Sequence, residues 1–81
     1  MDLHQIAVYI ATRADVETAL RVVENLRERL SLLKTSPLMG RLGKEEGTRE
    51  VILDTYVIPY RVRSNAVEIL RIWHAQQLRR G

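Results

Sequence analysis

The stretch TREVILDTYVIPYRVRSNAVEILRIWH, residues 48–74, decides the fold, because its apolar side chains recur every second position and β-branched residues dominate it. It divides into three strands, TREVILD (48–54), TYVIPYRVR (55–63) and AVEILRIWH (66–74). Asp54-Thr55 and Ser64-Asn65 are short enough links to make the three antiparallel neighbours. Pro59 has no N–H to give a ladder, so the middle strand requires a bulge there or an outward turn. The third strand is apolar on both sides, with Val67, Ile69 and Trp73 on one face and Leu70 and Ile72 on the other. That pattern fits an interior strand covered on both faces.

Upstream the period changes. Leu3, Ile6, Ala7 and Ile10 follow i, i+3, i+4, i+7 behind Asp2, a candidate N-cap with Gln5 three residues on, which predicts a short helix over 3–13. Asp15 is placed to cap a longer helix whose apolar stripe is Val16, Ala19, Leu20, Val23, Leu26, Leu30 and Leu33. Glu17 and Arg21 form an i, i+4 pair on its outer side. The two helices read as an antiparallel hairpin ending near Lys34. Between hairpin and strands, Pro37, Gly40, Gly43 and Gly47 break all periodicity and mark an exposed loop. Gln76, Gln77, Arg79, Arg80 and Gly81 read as a frayed tail. The expected architecture is α+β, a helical hairpin packed on a three-stranded antiparallel sheet in one domain spanning residues 1–81.

Composition sets further bounds. With 81 residues the chain buries only about 60% of the surface its unfolded form exposes, so stability is modest or shared with a partner. It contains no cysteine, and His4 and His74 stand far apart, so neither disulfide, metal site nor cofactor is expected. The opening residues lack a basic region before an apolar core, and no apolar run reaches the roughly 18 residues of a membrane span. A soluble, unexported, cytoplasmic protein with no membrane partner is the expectation.

The net charge of +3 is unevenly spread. Basic and acidic side chains cancel over residues 1–38, and the excess lies after residue 38, in Arg41, Lys44, Arg49, Arg61, Arg63, Arg71, Arg79 and Arg80 against fewer acids. Such a face suits nucleic acid or an acidic peptide, and it reads equally as charge that aids solubility.

The order of helix, helix, then SPLMGRLGKEEGTRE, YVIPYRV and VEILRIWHAQQ resembles the ParE/RelE family of toxins from bacterial type II toxin-antitoxin systems, the plasmid-stabilisation type. The resemblance rests on Pro37, Met39, Gly40 and Arg41 with Gly47, Thr48, Arg49 and Glu50, on Tyr60-Arg61-Val62, and on Ile69 to His74. It implies a four-stranded family sheet whose first strand precedes the first helix, whereas this chain starts within that helix at Met1-Asp2. A sheet edge or part of the core is then expected to stand uncovered and open to pairing.

Two mechanisms follow from the resemblance. RelE-like members cut messenger RNA on the ribosome and need an acid-base group with cations around the phosphorane. ParE-like members inhibit DNA gyrase by binding. Ribonuclease-type relatives carry an arginine where this chain has Val57, and basic or aromatic groups where it has Ala75, Gln76 and Gln77. The depleted cations favour gyrase. The alternative catalytic set is His74 with Arg61 or Arg71, His74 being suited by its ordinary pKa near 6.5; its competing role is a strand-end histidine bonded to a neighbour.

The candidate partner-binding residues are Arg41, Arg49, Arg61, Arg63, Arg71 and Trp73. Arg61 and Arg63 share a strand face with Val57 and Pro59 and line up with Arg71 as a cationic strip, or as solvated charge. Tyr56 and Tyr60 share the opposite face with Ile58 and Val62. Arg49 and Glu50 are placed to pair across strands with Arg61, Arg63 or Glu68. Arg41, in the glycine loop, is positioned to contact a phosphate or to tie the loop to a carbonyl. Trp73 suits a core or an interface.

The resemblance also implies a cognate antitoxin whose flexible C-terminal segment folds over the toxin, with an apolar helix face in a groove along the hairpin and sheet and acids meeting arginines. A homodimer or a toxin-antitoxin hetero-oligomer is compatible with this. A third reading is a non-toxic module that only binds antitoxin.

Overall fold

A computed structural model, which describes residues 1–75, gives two helices followed by an antiparallel sheet. Helix α1 spans Leu3–Arg13 and opens on a capping box: the Asp2 carboxylate accepts from the Gln5 N–H at 2.8 Å, and the Gln5 side-chain oxygen accepts from the Asp2 N–H at 2.8 Å. Helix α2 spans Val16–Thr35, and Asp15 caps it by accepting from the Thr18 N–H at 2.6 Å. That bond holds the Asp15 carboxyl below its usual range, because it favours the ionised form.

The strands are β1 Arg41–Leu42, β2 Arg49–Leu53, β3 Tyr56–Arg63, β4 Ala66–Ile69 and β5 Trp73–His74, arranged β1-β2-β3-β4 with β5 also on β3. Positive φ at Ser64 (51°) and Asn65 (64°) matches the twist of a two-residue hairpin between β3 and β4. The expected two-helix α+β architecture holds, while the sheet gains one strand from the glycine loop and splits another.

The split has an identifiable cause. Tyr60 pairs with Ile69 and Val57 with Trp73, so three residues of the last segment, Leu70 to Ile72, oppose only Ile58 and Pro59. This is a one-residue bulge. The Pro59 carbonyl accepts from the Leu70 N–H at 3.0 Å, and a residue's N–H and carbonyl point to the same side of a strand, so the missing Pro59 donor lies where the ladder breaks. β3 itself runs uninterrupted through Pro59. The bulge required by the proline therefore sits in the neighbouring strand and not in its own.

Because side chains alternate, the extra residue reverses every face beyond it. Ile72 joins the core beneath the helices, and Trp73 stands beside Val57 on the outer face, away from Val67 and Ile69 where simple alternation puts it. The core gathers Ile6 and Ile10 of α1, Ala19, Val22, Leu26 and Leu33 of α2, and Val51, Tyr56, Ile58, Tyr60 and Ile69 of the sheet. Along α2 the buried stripe runs through Val22, while Val16 and Leu20 are exposed at 64% and 65%. Arg21 does not pair with Glu17; it reaches Asp54 in the β2–β3 turn at 2.9 Å and fastens the hairpin to the sheet. Among the described residues β4 ends the sheet, and the Met1 ammonium donates to the Ile69 carbonyl there at 2.7 Å.

Candidate functional site

The glycine-loop motif is a latch built around Tyr60. Its side chain is 1% exposed, and its hydroxyl donates to the Pro37 carbonyl at 2.7 Å while accepting from the Gly40 N–H at 3.1 Å. Arg49 completes the latch by donating to the Leu38 carbonyl at 3.2 Å and the Gly40 carbonyl at 3.0 Å. Gly40 allows this closeness: a Cβ there would lie 2.7 Å from the Glu50 carbonyl oxygen and 2.7 Å from the Tyr60 ring. Arg41 stands on β1 opposite Glu50, and its Nε donates to the Glu50 carboxylate at 2.8 Å. The roles expected of the two arginines are thus exchanged. Arg49 ties the loop to carbonyls, and Arg41 takes the cross-strand ion pair expected between Glu50 and Arg61 or Arg63. Glu50, only 6% exposed, owes its solvation to that pair.

The helix side of the sheet carries an open groove. Two hollows of about 280 Å³ and 180 Å³ share Pro37 and Val62 and lie between the end of α2, the loop and the β3–β4 hairpin. Leu33 and Val67 line the smaller, Leu38 and Leu42 the larger, and Leu38 and Leu42 are 67% and 75% exposed. Lys34 and Arg49 contribute to their walls. Leu42 escaped sequence reading because a two-residue strand between glycines has no detectable period.

The outer face presents Arg41, Val57, Pro59, Arg61, Arg63 and Trp73. The strip expected of Arg61, Arg63 and Arg71 is interrupted: Arg61 faces Glu68 across the ladder, and Arg63 faces Ala66. Arg71 projects from the bulge, with its guanidinium 5.5 Å from the Trp73 ring centre and 3.5 Å from Glu45. Lys44, Glu45 and Leu70, none of them among the candidate site residues of the sequence, adjoin Trp73 in a hollow of about 60 Å³.

His74 pairs with Tyr56 on β3, on the helix side, and their rings meet edge to face at 5.5 Å and 87°. Burial pushes the Tyr56 phenol above its usual value. Arg61 lies on the other face and five residues further along β3, about 16 Å at the rise of an extended strand. Arg71 belongs to the outer face as well, with Trp73 and Glu45. Proton transfer requires the acid-base group within hydrogen-bond reach of the atoms that the cations stabilise, and His74, Arg61 and Arg71 are not brought together for it. Val57 is buried on the outer face, 3% exposed. The comparison of Gln76 and Gln77 with nuclease positions, and the expected tail, lie outside the described residues.

No helix among the described residues is long and apolar enough to cross a membrane. A model of the "ParE toxin of type II toxin-antitoxin system, parDE" matches residues 1–79. The Sinorhizobium fredii (strain NBRC 101917 / NGR234) protein named "Putative toxin Y4kP" is 40% identical over 77 residues, covering 93% of this chain and 78% of the relative. A solved structure titled "Chromosomal ParDE TA system from P. aeruginosa" superposes with a TM-score of 0.61 at 27% identity, covering 90% of this chain and 83% of that one. Fold, motif order and both kinds of relative agree, and the chain belongs to the ParE toxin family of type II toxin-antitoxin systems.

Proposed function

We propose that the chain is a toxin that arrests DNA gyrase by binding and is neutralised by a cognate antitoxin. The observation that carries binding over cleavage is the dispersal of the candidate catalytic residues, with His74 on the helix side and Arg61 on the outer face. An endoribonuclease built on His74 would need those cations at the same phosphate. Family membership and the likeness to a ParDE system support the antitoxin as partner. Gyrase binding would place the activity in the cytoplasm. A supercoiling assay with purified gyrase tests the target: inhibition at micromolar protein is expected, and unaffected gyrase counts against it.

The antitoxin segment is assigned to the groove on the helix side. An amphipathic helix presents apolar side chains at i, i+3 and i+4, about 5–6 Å apart, which suits two adjoining hollows sharing Pro37 and Val62. Acidic side chains on its flank would meet Lys34 and Arg49. Val62 is 40% exposed, so Val62→Asp is expected to leave the fold intact and weaken antitoxin binding about tenfold or more by calorimetry. Unchanged affinity would move the antitoxin elsewhere. If expression without antitoxin causes no growth defect in bacteria, the non-toxic antitoxin-binding module becomes the better reading.

A further inference from the structure

The outer face of the sheet has an apolar centre that neither α1 nor α2 covers. Val57 is 3% exposed and Pro59 is buried, yet both point away from the hairpin. The bulge sets neighbours beside them: Trp73 stands opposite Val57, and Leu70 lines one hollow together with Pro59 and Trp73. Between Leu70, Pro59 and Trp73 remains the hollow of about 60 Å³, room for the end of one aliphatic side chain.

Its rim carries Lys44 and Arg71 beside Glu45 and Glu50, and Arg41 adds a third cation. Glu50 is engaged by Arg41 at 2.8 Å and Glu45 by Arg71 at 3.5 Å, whereas Lys44 has no ion pair among the described residues. The Arg71–Glu45 pair is long, and its side chains are 48% and 60% exposed, so it contributes little and Arg71 can exchange Glu45 for another carboxylate at small cost. Trp73 beneath Arg71 keeps the guanidinium over the hollow by a cation–π contact.

We propose that the hollow beside Trp73 receives an aliphatic side chain flanked by carboxylates, on an acidic segment of the toxin's protein target. The assignment to the target rests on the binding mode proposed above; the groove proposed for the antitoxin is on the other side of the sheet, so that segment does not compete for the hollow. Charge complementarity selects an acidic segment, since Arg41, Lys44, Arg61, Arg63 and Arg71 outnumber Glu45, Glu50 and Glu68 on this side.

Trp73 is the only tryptophan of the chain, so its emission reports the hollow directly. A blocked pentapeptide with a central leucine between two pairs of acidic residues is titrated into the full chain. Saturable, submillimolar binding is expected, weakened about tenfold by Arg71→Glu and by added salt, and tightened severalfold by Glu45→Gln, which removes the internal competitor. Retained antitoxin affinity shows that each variant is folded. No saturable change, or equal affinity for wild type and Arg71→Glu, overturns the proposal. The same variants are then measured against purified gyrase. If the peptide binds as expected and gyrase does not, the hollow stands and gyrase as the target fails. If gyrase binds wild type and Arg71→Glu equally, the hollow is not the target's site, although the gyrase reading survives.

Discussion

Tyr60 shows how one side chain links the sheet to the motif segment. Its ring fills the core, and its hydroxyl serves two backbone groups that would otherwise be left unpaired in a half-buried place. Tyr60→Phe keeps the ring and removes both bonds, and a loss of about 1–3 kcal/mol is expected in urea unfolding, with the m-value unchanged. Its position on the inner face of β3 was legible from alternation with Ile58. Its bond to Pro37 was not, because nothing local in the sequence records a contact made across a fold. The same limit explains the exchange of roles between Arg41 and Arg49. Residue type announced two arginines beside glycines, but which one reaches a carboxylate depends on the register of a strand two residues long.

At the scale of elements, sequence alternation located β2, β3 and the start of β4, and capping signals located both helices, because each of these effects is local. The reversal after Ile69 is not local. It arises where Pro59 fails to donate to a neighbouring strand, and it carries Trp73 from the expected inner face to the outer one. The link between β1 and the latch is tested by Gly40→Ala. Its Cβ would meet the Glu50 carbonyl and the Tyr60 ring, so the loop must shift, with an expected loss of about 1–3 kcal/mol and faster amide exchange in β1. The start of α2 gives a pH-dependent test. Asp15 has a folded pKa below its ordinary 3.8, so its contribution is present above that value and lost as pH falls through the lower folded value. Asp15→Ala should therefore lower the melting temperature at pH 7, and the gap to wild type should narrow as the pH falls below 3.8.

For the whole molecule, the sheet separates two surfaces with different chemistry. The helix side offers exposed leucines around two joined hollows, and the outer side offers Trp73 with arginines and a lysine at its rim. Fold class and family were legible because helix periods, strand periods and the order of motifs run along the chain. The separation of His74 from Arg61 was only partly so, since alternation places them correctly only once the bulge is known. That separation underlies the claim that this toxin works by binding. The most direct test compares wild type and His74→Ala in two assays, gyrase supercoiling and cleavage of ribosome-bound message. Equal inhibition of gyrase by both proteins, relieved by antitoxin and without message cleavage, is the expected result. Cleavage of message by wild type that disappears in His74→Ala, with gyrase untouched by either, would contradict it.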